Sequence, residues 1–199
     1  GNIKTLAQNL SIGLPARVIV LRFASGPQIV LGDSSGGLLS LNLSGQPVWA
    51  YSVGSEEIGG MDDALIGGKM HLAVASHDGW VTVLDSEGKA VWSTNQEALR
   101  RMRAFDLNSD GNSEIITGGE YGAHFVYNAV DGSQMYTQGM GQAVSEVRVV
   151  ELNGEPSSRE YVVGGKDGGV WAFSFDGTTA KQMWTGSLSD KVTEISGID

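Results

Sequence analysis

The sequence has no cysteine, so a disulfide framework, a thiolate zinc site and a cysteine nucleophile are all excluded. Either redox compartment is compatible with that absence, and the reading leans to an extracellular, cell-surface or periplasmic setting. Basic residues are few, 13 Lys and Arg against 23 Asp and Glu, for a net charge of −10. Nucleic acid is therefore not expected as a partner, because phosphate binding needs a basic footprint that releases counterions. Long apolar runs are also missing: none approaches the roughly 18 to 20 residues that would cross a bilayer, so direct membrane insertion is not expected. The opening Gly1-Asn2-Ile3-Lys4 does not read as a signal peptide. Proline is scarce, at 4 residues, whereas glycine is abundant, at 29. Glycine at this density in a sequence of ordinary complexity points to many tight turns between short strands, an all-β pattern. With 199 residues, 41% of them hydrophobic, the chain can bury a core without covalent staples.

The strongest signal is an internal repeat. The apolar runs Gln28-Ile29-Val30-Leu31-Gly32, His71-Leu72-Ala73-Val74-Ala75, Glu114-Ile115-Ile116-Thr117-Gly118 and Glu160-Tyr161-Val162-Val163-Gly164 each lead to a turn glycine, Gly36, Gly79, Gly122 or Gly168. The glycine spacings are 43, 43 and 46. An alternating strand follows each turn, as in Trp80-Val81-Thr82-Val83-Leu84, and its period of two marks β-structure. Next come second turns at Ser44-Gly45, Glu87-Gly88, Asp131-Gly132 and Asp176-Gly177. Each unit closes on an aromatic-bearing strand at Trp49, Trp92, Tyr136 or Trp184. A further strand before each apolar run makes four antiparallel strands per unit of about 43 residues, the content of a β-propeller blade. Residues 96–103 have a helix-friendly composition, but the repeat assigns them to a blade's first strand, and periodic tertiary pattern outweighs local propensity.

The predicted organisation is a single propeller region with blades at 16–56, 57–98, 99–142 and 143–189. Residues 1–15 align with the last strand of a preceding blade, and residues 190–199 with the first strand of a following one. Both ends thus fall in mid-repeat, and the expectation is an interior portion of a larger propeller, with a closed four-blade ring as the alternative.

One stretch carries metal-ligand spacing. In Asp106-Leu107-Asn108-Ser109-Asp110-Gly111-Asn112-Ser113-Glu114, oxygen donors occupy positions 1, 3, 5 and 9, and a glycine at 6 permits a sharp turn. The expected ligands of a structural Ca²⁺ are the side chains of Asp106, Asn108, Asp110 and Glu114 with the backbone carbonyl of Asn112. The alternative is an Asx-stabilised turn without metal. Glu151, Asn153 and Glu155 form a degenerate copy; Asp62-Asp63 keeps only the first acid of the motif, and Arg22 takes that place in the first unit. Gly32-Asp33-Ser34-Ser35-Gly36 matches a nucleophile elbow, but the repeat puts Ser34 in a hairpin rather than on a strand-to-helix turn. His71, His77 and His124 lack metal-ligand spacing. The recurring tryptophans are expected to pack blade on blade, and Arg100, Arg101 and Arg103 to form a solvated strand end. Asn42-Leu43-Ser44 and Asn9-Leu10-Ser11 fit the glycosylation sequon.

The 106–114 loop, followed by Ile115-Ile116-Thr117-Gly118-Gly119, resembles the FG-GAP and VCBS repeats of integrin-α-type propellers, and is similar to the propellers of Bardet-Biedl-type ciliary coat subunits. Glu114 stands where the FG-GAP loop usually has aspartate. The runs Leu41-Asn42-Leu43-Ser44-Gly45-Gln46-Pro47-Val48-Trp49 and Leu84-Asp85-Ser86-Glu87-Gly88-Lys89-Ala90-Val91-Trp92 resemble PQQ-type quinoprotein repeats with their terminal docking tryptophan. These resemblances imply architecture more than activity. The leading expectation is a non-catalytic module for recognition or scaffolding of a protein or glycan partner. Part of a PQQ-dependent dehydrogenase and part of a polysaccharide lyase or other propeller carbohydrate enzyme are the alternatives.

Overall fold

The computed structural model describes residues 12–154 and 159–196 of the chain. It is all-β, with sixteen strands in four antiparallel sheets, each a simple meander in sequence order. The first blade comprises β1 (Pro15–Phe23), β2 (Gly26–Asp33), β3 (Gly37–Asn42) and β4 (Pro47–Ser52). The second comprises β5 (Ile58–Ile66), β6 (Lys69–Ser76), β7 (Trp80–Leu84) and β8 (Ala90–Asn95). The third comprises β9 (Leu99–Phe105), β10 (Glu114–Gly119), β11 (Ala123–Asn128) and β12 (Gln134–Gly139). The fourth comprises β13 (Val144–Val150), β14 (Glu160–Gly165), β15 (Gly169–Phe175) and β16 (Ala180–Ser187). Strand β9 takes most of the helix-friendly stretch, because its ladder with β10 and its packing against β5 and β13 outweigh propensity.

The first strands β1, β5, β9 and β13 pack on one another in series and so lie innermost. The last strands alternate half-buried and exposed residues, or in β16 are nearly all exposed, as edges at the outer rim must be. Between blades lie three apolar layers. Leu21, Val30 and Leu38 of the first blade meet Leu72, Val74 and Leu84 of the second. Ala73, Val81 and Val83 meet Ile115 and Tyr127. Ile116 and Val126 meet Tyr161, Val163 and Phe173. Each fully buried Leu, Val or Phe contributes about 1.5–3 kcal/mol.

Near the axis the blades approach too closely for side chains on both partners. Ile58 seats on Gly32, where a Cβ would be 3.0 Å away, and Val144 seats on Gly118, where it would be 2.3 Å away. Val192 repeats this on Gly164 at 2.5 Å and donates its N–H to Gly165 O, although residues 190–196 form no strand. The expectations for residues 1–11 and 197–199 lie outside the described residues.

At the rim, the indole of Trp49 covers Gly88 and donates Nε1–H to Gln28 Oε1 at 2.9 Å, with Ser86 O also in reach at 3.2 Å. Trp92 covers Gly132 and donates to Ala129 O at 2.7 Å. Trp184 and Trp80 are instead exposed, so the indole clasp links the first three blades.

The meander sends its first and third turns to one end of each blade, and its second turn and outgoing crossover to the other. The second turns are built alike: Gly36, Gly79, Gly122 and Gly168 have φ of +82°, +93°, +92° and +85°. Their carbonyls accept from Val53, Gln96, Met140 and Leu188 of the outgoing segments. Ser34 lies in the first of these turns, between two strands, so no elbow forms.

Candidate functional site

The 106–114 loop joins β9 to β10 at the end that carries the first and third turns. Its polar side chains are turned onto its own backbone. Asp106 accepts from Asp110 N (3.1 Å) and Gly111 N (2.9 Å), Asn108 Oδ1 from Asp110 N (3.0 Å), and Asp110 from Asn112 N (2.8 Å). Ser109 and Gly111 adopt the left-handed region, with φ of +61° and +88°, which brings these donors round. Glu114 is buried and accepts from Leu107 N at 2.9 Å. Burial first, with Asp110 and Asp106 adding like charge, raises its carboxyl to about 7 against the pull of the Leu107 bond.

The loop is stitched to both neighbouring blades. Ser113 exchanges two hydrogen bonds with Leu65, Asn112 Oδ1 accepts from Gly67 N, and Leu107 O accepts from Arg159 N. Asp106, Asn108, Asp110, Asn112 and Glu114 are thus gathered in one turn, with the Asn112 side chain committed to the second blade. Among the described residues, no three His, Asp or Glu side chains form a ready-made cage. Glu160 of the fourth blade repeats the Glu114 contact, accepting from Leu152 N at 2.8 Å. The repeat sets Glu160 level with Glu114, but the ligand count starting at Glu151 falls on Arg159 at position 9, because the fourth loop is one residue longer. The sequence reading also misplaced Asp62-Asp63. The pairs Asp62↔Ala73 and Arg103↔Ile116 put Asp62 level with Arg103, and β5 runs on to Ile66 before turning at Gly67-Gly68.

Beside the loop, a cleft of about 830 Å³ spans the second, third and fourth blades. Its apolar lining is Leu65, Met70, Ala104, Phe105, Val149 and Val150, and Phe105 is 43% exposed. Asp62, Asp63, Asp106 and Glu151 supply carboxylates to its walls, and Arg103, Arg148 and Arg159 supply guanidinium groups. Two of these side chains, Asp62 and Arg103, also reach a neighbouring blade. Asp62 accepts from Ala104 N at 3.0 Å, and burial raises its carboxyl above the ordinary range. Arg159 pairs with Glu151, and Arg103 reaches Glu146 at 3.8 Å.

The remaining chemistry-bearing residues are structural. Arg100 pairs with Glu120, which also receives Lys166 at 2.7 Å, and Arg101 lies 3.5 Å from Glu146. The arginine cluster is therefore not a solvated strand end but a set of ties from the third blade's second turn and first strand to the fourth blade. Burial disfavours ionisation of Asp33 and Asp78, yet hydrogen bonds from Gly13, Ser35 and Gly37, and from Ser76 and Ser55, hold both below the usual carboxylate range. His124 is enclosed by Tyr136, Tyr161 and Phe173, with Nε2 3.1 Å from Tyr161 Oη, and burial lowers it to about 4. Asn42, inside a sequon, accepts from Ser44 N and Gln46 N in its turn.

No family model matches the chain, and no curated protein matches it. Solved structures do. The chain resembles BBS1N in a crystal structure with ARL6DN (TM-score 0.64, 17% identity), covering 90% of this chain and 56% of that one. It resembles Saccharomyces cerevisiae Sqt1 (TM-score 0.72, 13% identity), covering 86% and 50%. It also resembles a chain of the mitotic checkpoint complex (TM-score 0.66, 16% identity), covering 83% and 53%. The chain spans about half the length of each. At such identities the likeness concerns the fold, and it agrees with the four four-stranded meanders: the chain is built as β-propeller blades.

Proposed function

We propose that this chain is a non-catalytic recognition module that binds a protein partner in the three-blade cleft, braced by one structural Ca²⁺ in the 106–114 loop. The cleft carries the proposal: an apolar lining that includes an exposed phenylalanine, among side chains of both charge signs, is the composition of a protein-binding hot spot. Asp62 ties the second blade to the third through Ala104 N, and Arg159 pairs with Glu151 inside the fourth, which suits a rigid docking surface more than a reaction centre. Among the described residues, Phe105 is the one aromatic side chain lining it, where glycan recognition would call for a broader stacking platform. Likeness to BBS1N in complex with ARL6DN and to a chain of the mitotic checkpoint complex supports a protein partner.

The cleft is tested by selecting a peptide-display library on the immobilised chain and titrating enriched peptides against wild type and Phe105→Asp. Micromolar binding that falls at least tenfold in the variant is expected. Enrichment of nothing, or peptides indifferent to the variant, would overturn it, and a glycan array positive in their place would redirect the partner class.

For calcium, the loop supplies a hard, all-oxygen donor set: Asp106, Asn108, Asp110 and Glu114 side chains and the Asn112 carbonyl. Each carboxylate oxygen that accepts one N–H keeps a second lone pair, and a cation would relieve the repulsion among Glu114, Asp110 and Asp106. Bound calcium would supply charge neutralisation and stiffness. Free Ca²⁺ at 100 times its dissociation constant is expected to stabilise the fold by about 2.7 kcal/mol. Asp106→Asn should remove that gain, and equal thermal midpoints in calcium and in chelator would refute the ion.

A further inference from the structure

The charged rim of the cleft is polarised, and the polarity specifies an occupant. On the second blade's side, Asp62 and Asp63 are consecutive on β5, and among the described residues neither has a cationic side chain within ion-pair distance. On the fourth blade's side, Arg148 is exposed on β13 and has no carboxylate partner among the described residues. Arg103 is drawn towards Glu146 while its charge also acts on Asp62, and Arg159 pairs with Glu151. Asp106 is turned into its own loop. Among the described residues, the charges without an ion-pair partner are therefore Asp62, already bonded to Ala104 N, and Asp63 on the second blade and the Arg148 guanidinium on the fourth, with Phe105 of the intervening third blade between them.

Blade order fixes this geometry, because the innermost strands β5, β9 and β13 pack in series. Anything lying across them meets the acidic wall, then the phenylalanine, then the arginine. A uniformly basic segment would gain at the first wall and be repelled at the last, and an acidic one the reverse. Uncompensated charge at a partly desolvated rim costs more than a correct pair gains, so a rim of this kind selects charge order more than it adds affinity.

We propose that the cleft takes an extended peptide of bipolar charge, a Lys or Arg at the Asp62-Asp63 wall, an apolar side chain over Phe105, and an Asp or Glu at Arg148. This rests on the protein-recognition reading of the same cleft and names its partner's chemistry.

The test uses four synthetic peptides of one length and one apolar anchor, titrated by fluorescence anisotropy: basic-apolar-acidic, the reversed order, all-basic and all-acidic. Wild type is expected to bind the bipolar peptide in one chain direction at least tenfold more tightly than the uniform ones. In a double reversal, Asp63→Lys with Arg148→Glu, both at exposed positions, that directional preference should invert. Asp62→Asn, which keeps an acceptor for Ala104 N, should weaken the basic end's contribution two- to fivefold in a chain of unchanged thermal midpoint. Uniform peptides binding as well as the bipolar one, or a preference that does not invert, would overturn the charge-order proposal while leaving the cleft as a binding site. Failure of all four peptides, together with a library selection insensitive to Phe105→Asp, would overturn the recognition reading itself.

Discussion

Placing a single methyl group at Gly132 should uncouple the second and third blades, and its cost can be worked from two independent terms. Gly132 has φ of +75°, so alanine there pays the left-handed penalty of roughly 1–2 kcal/mol. In addition, its Cβ would fall 2.6 Å from Trp92 Cε3 and 2.7 Å from Cδ2. Carbon atoms prefer about 3.5 Å or more, so the indole must retreat by roughly 0.9 Å. It cannot do so freely, because Nε1–H is held by Ala129 O at 2.7 Å in the same turn. Overpacking of that kind costs about 1–3 kcal/mol, which brings Gly132→Ala to about 3 kcal/mol. Gly67→Ala is the control: its φ is +56°, but nothing lies within 4 Å, so only the conformational cost of roughly 1–2 kcal/mol applies. The steric term also depends on the ring. Against a Trp92→Ala background, Gly132→Ala should cost about 1–2 kcal/mol less than in wild type, a coupling that a double-mutant cycle resolves. Urea unfolding of the four chains, followed by far-UV circular dichroism and tryptophan fluorescence, supplies the free energies. A Gly132→Ala cost no larger than that of Gly67→Ala, or one unchanged by removing the ring, would refute the clasp.

Other consequences are as definite. His124 has its imidazole lowered to about 4 by burial, against about 6.5 when unfolded. The unfolded chain thus binds its proton first, and the stability from keeping His124 neutral, present above pH 6.5, is lost as pH falls towards 4. The full shift corresponds to roughly 3 kcal/mol. A His124→Gln chain should be less stable than wild type at pH 7 and show a shallower loss between pH 6.5 and 4, and equal slopes in urea titrations would contradict this. Glu120→Gln should cost under about 1 kcal/mol, because its pairs with Arg100 and Lys166 are partly exposed, and the difference should shrink at 1 M salt. A salt-independent loss would show that Glu120 acts through packing instead.

The blades were legible in the sequence because their constraints recur. A positive φ at each second turn can be met cheaply only by glycine, so Gly36, Gly79, Gly122 and Gly168 print the period directly. The buried runs that precede these glycines at fixed offset show which strands are covered on both faces. The third turns were only half legible. Their glycines were visible, but the residues that organise them, Asn42, Asp85, Asn128 and Asp176, work through side-chain acceptance of later N–H groups. Because Asn and Asp serve equally there, no repeated letter marks the position.

The site was less legible, for a different reason. The 106–114 stretch stands out because all its donors lie within nine residues. The cleft beside it is made by Asp62, Phe105 and Arg148, each a commonplace strand residue until β5, β9 and β13 are set side by side. The same non-locality hid the ties of Arg100, Arg101 and Arg103, whose carboxylates belong to a distant turn or the next blade. Register hid Asp62 as well: two glycines at 67 and 68 let β5 continue past the point where β9 ends, so Asp62 falls level with Arg103 and not with Asp106.

The most direct test of the account is amide hydrogen exchange, read by mass spectrometry, on the chain with and without a peptide enriched from the display library. Added protection is expected at residues 62–65, 103–106 and 148–150, the three strand ends that line the cleft. Protection confined to the opposite end, at the second turns around Gly36, Gly79, Gly122 and Gly168, would contradict it and move recognition to the other face.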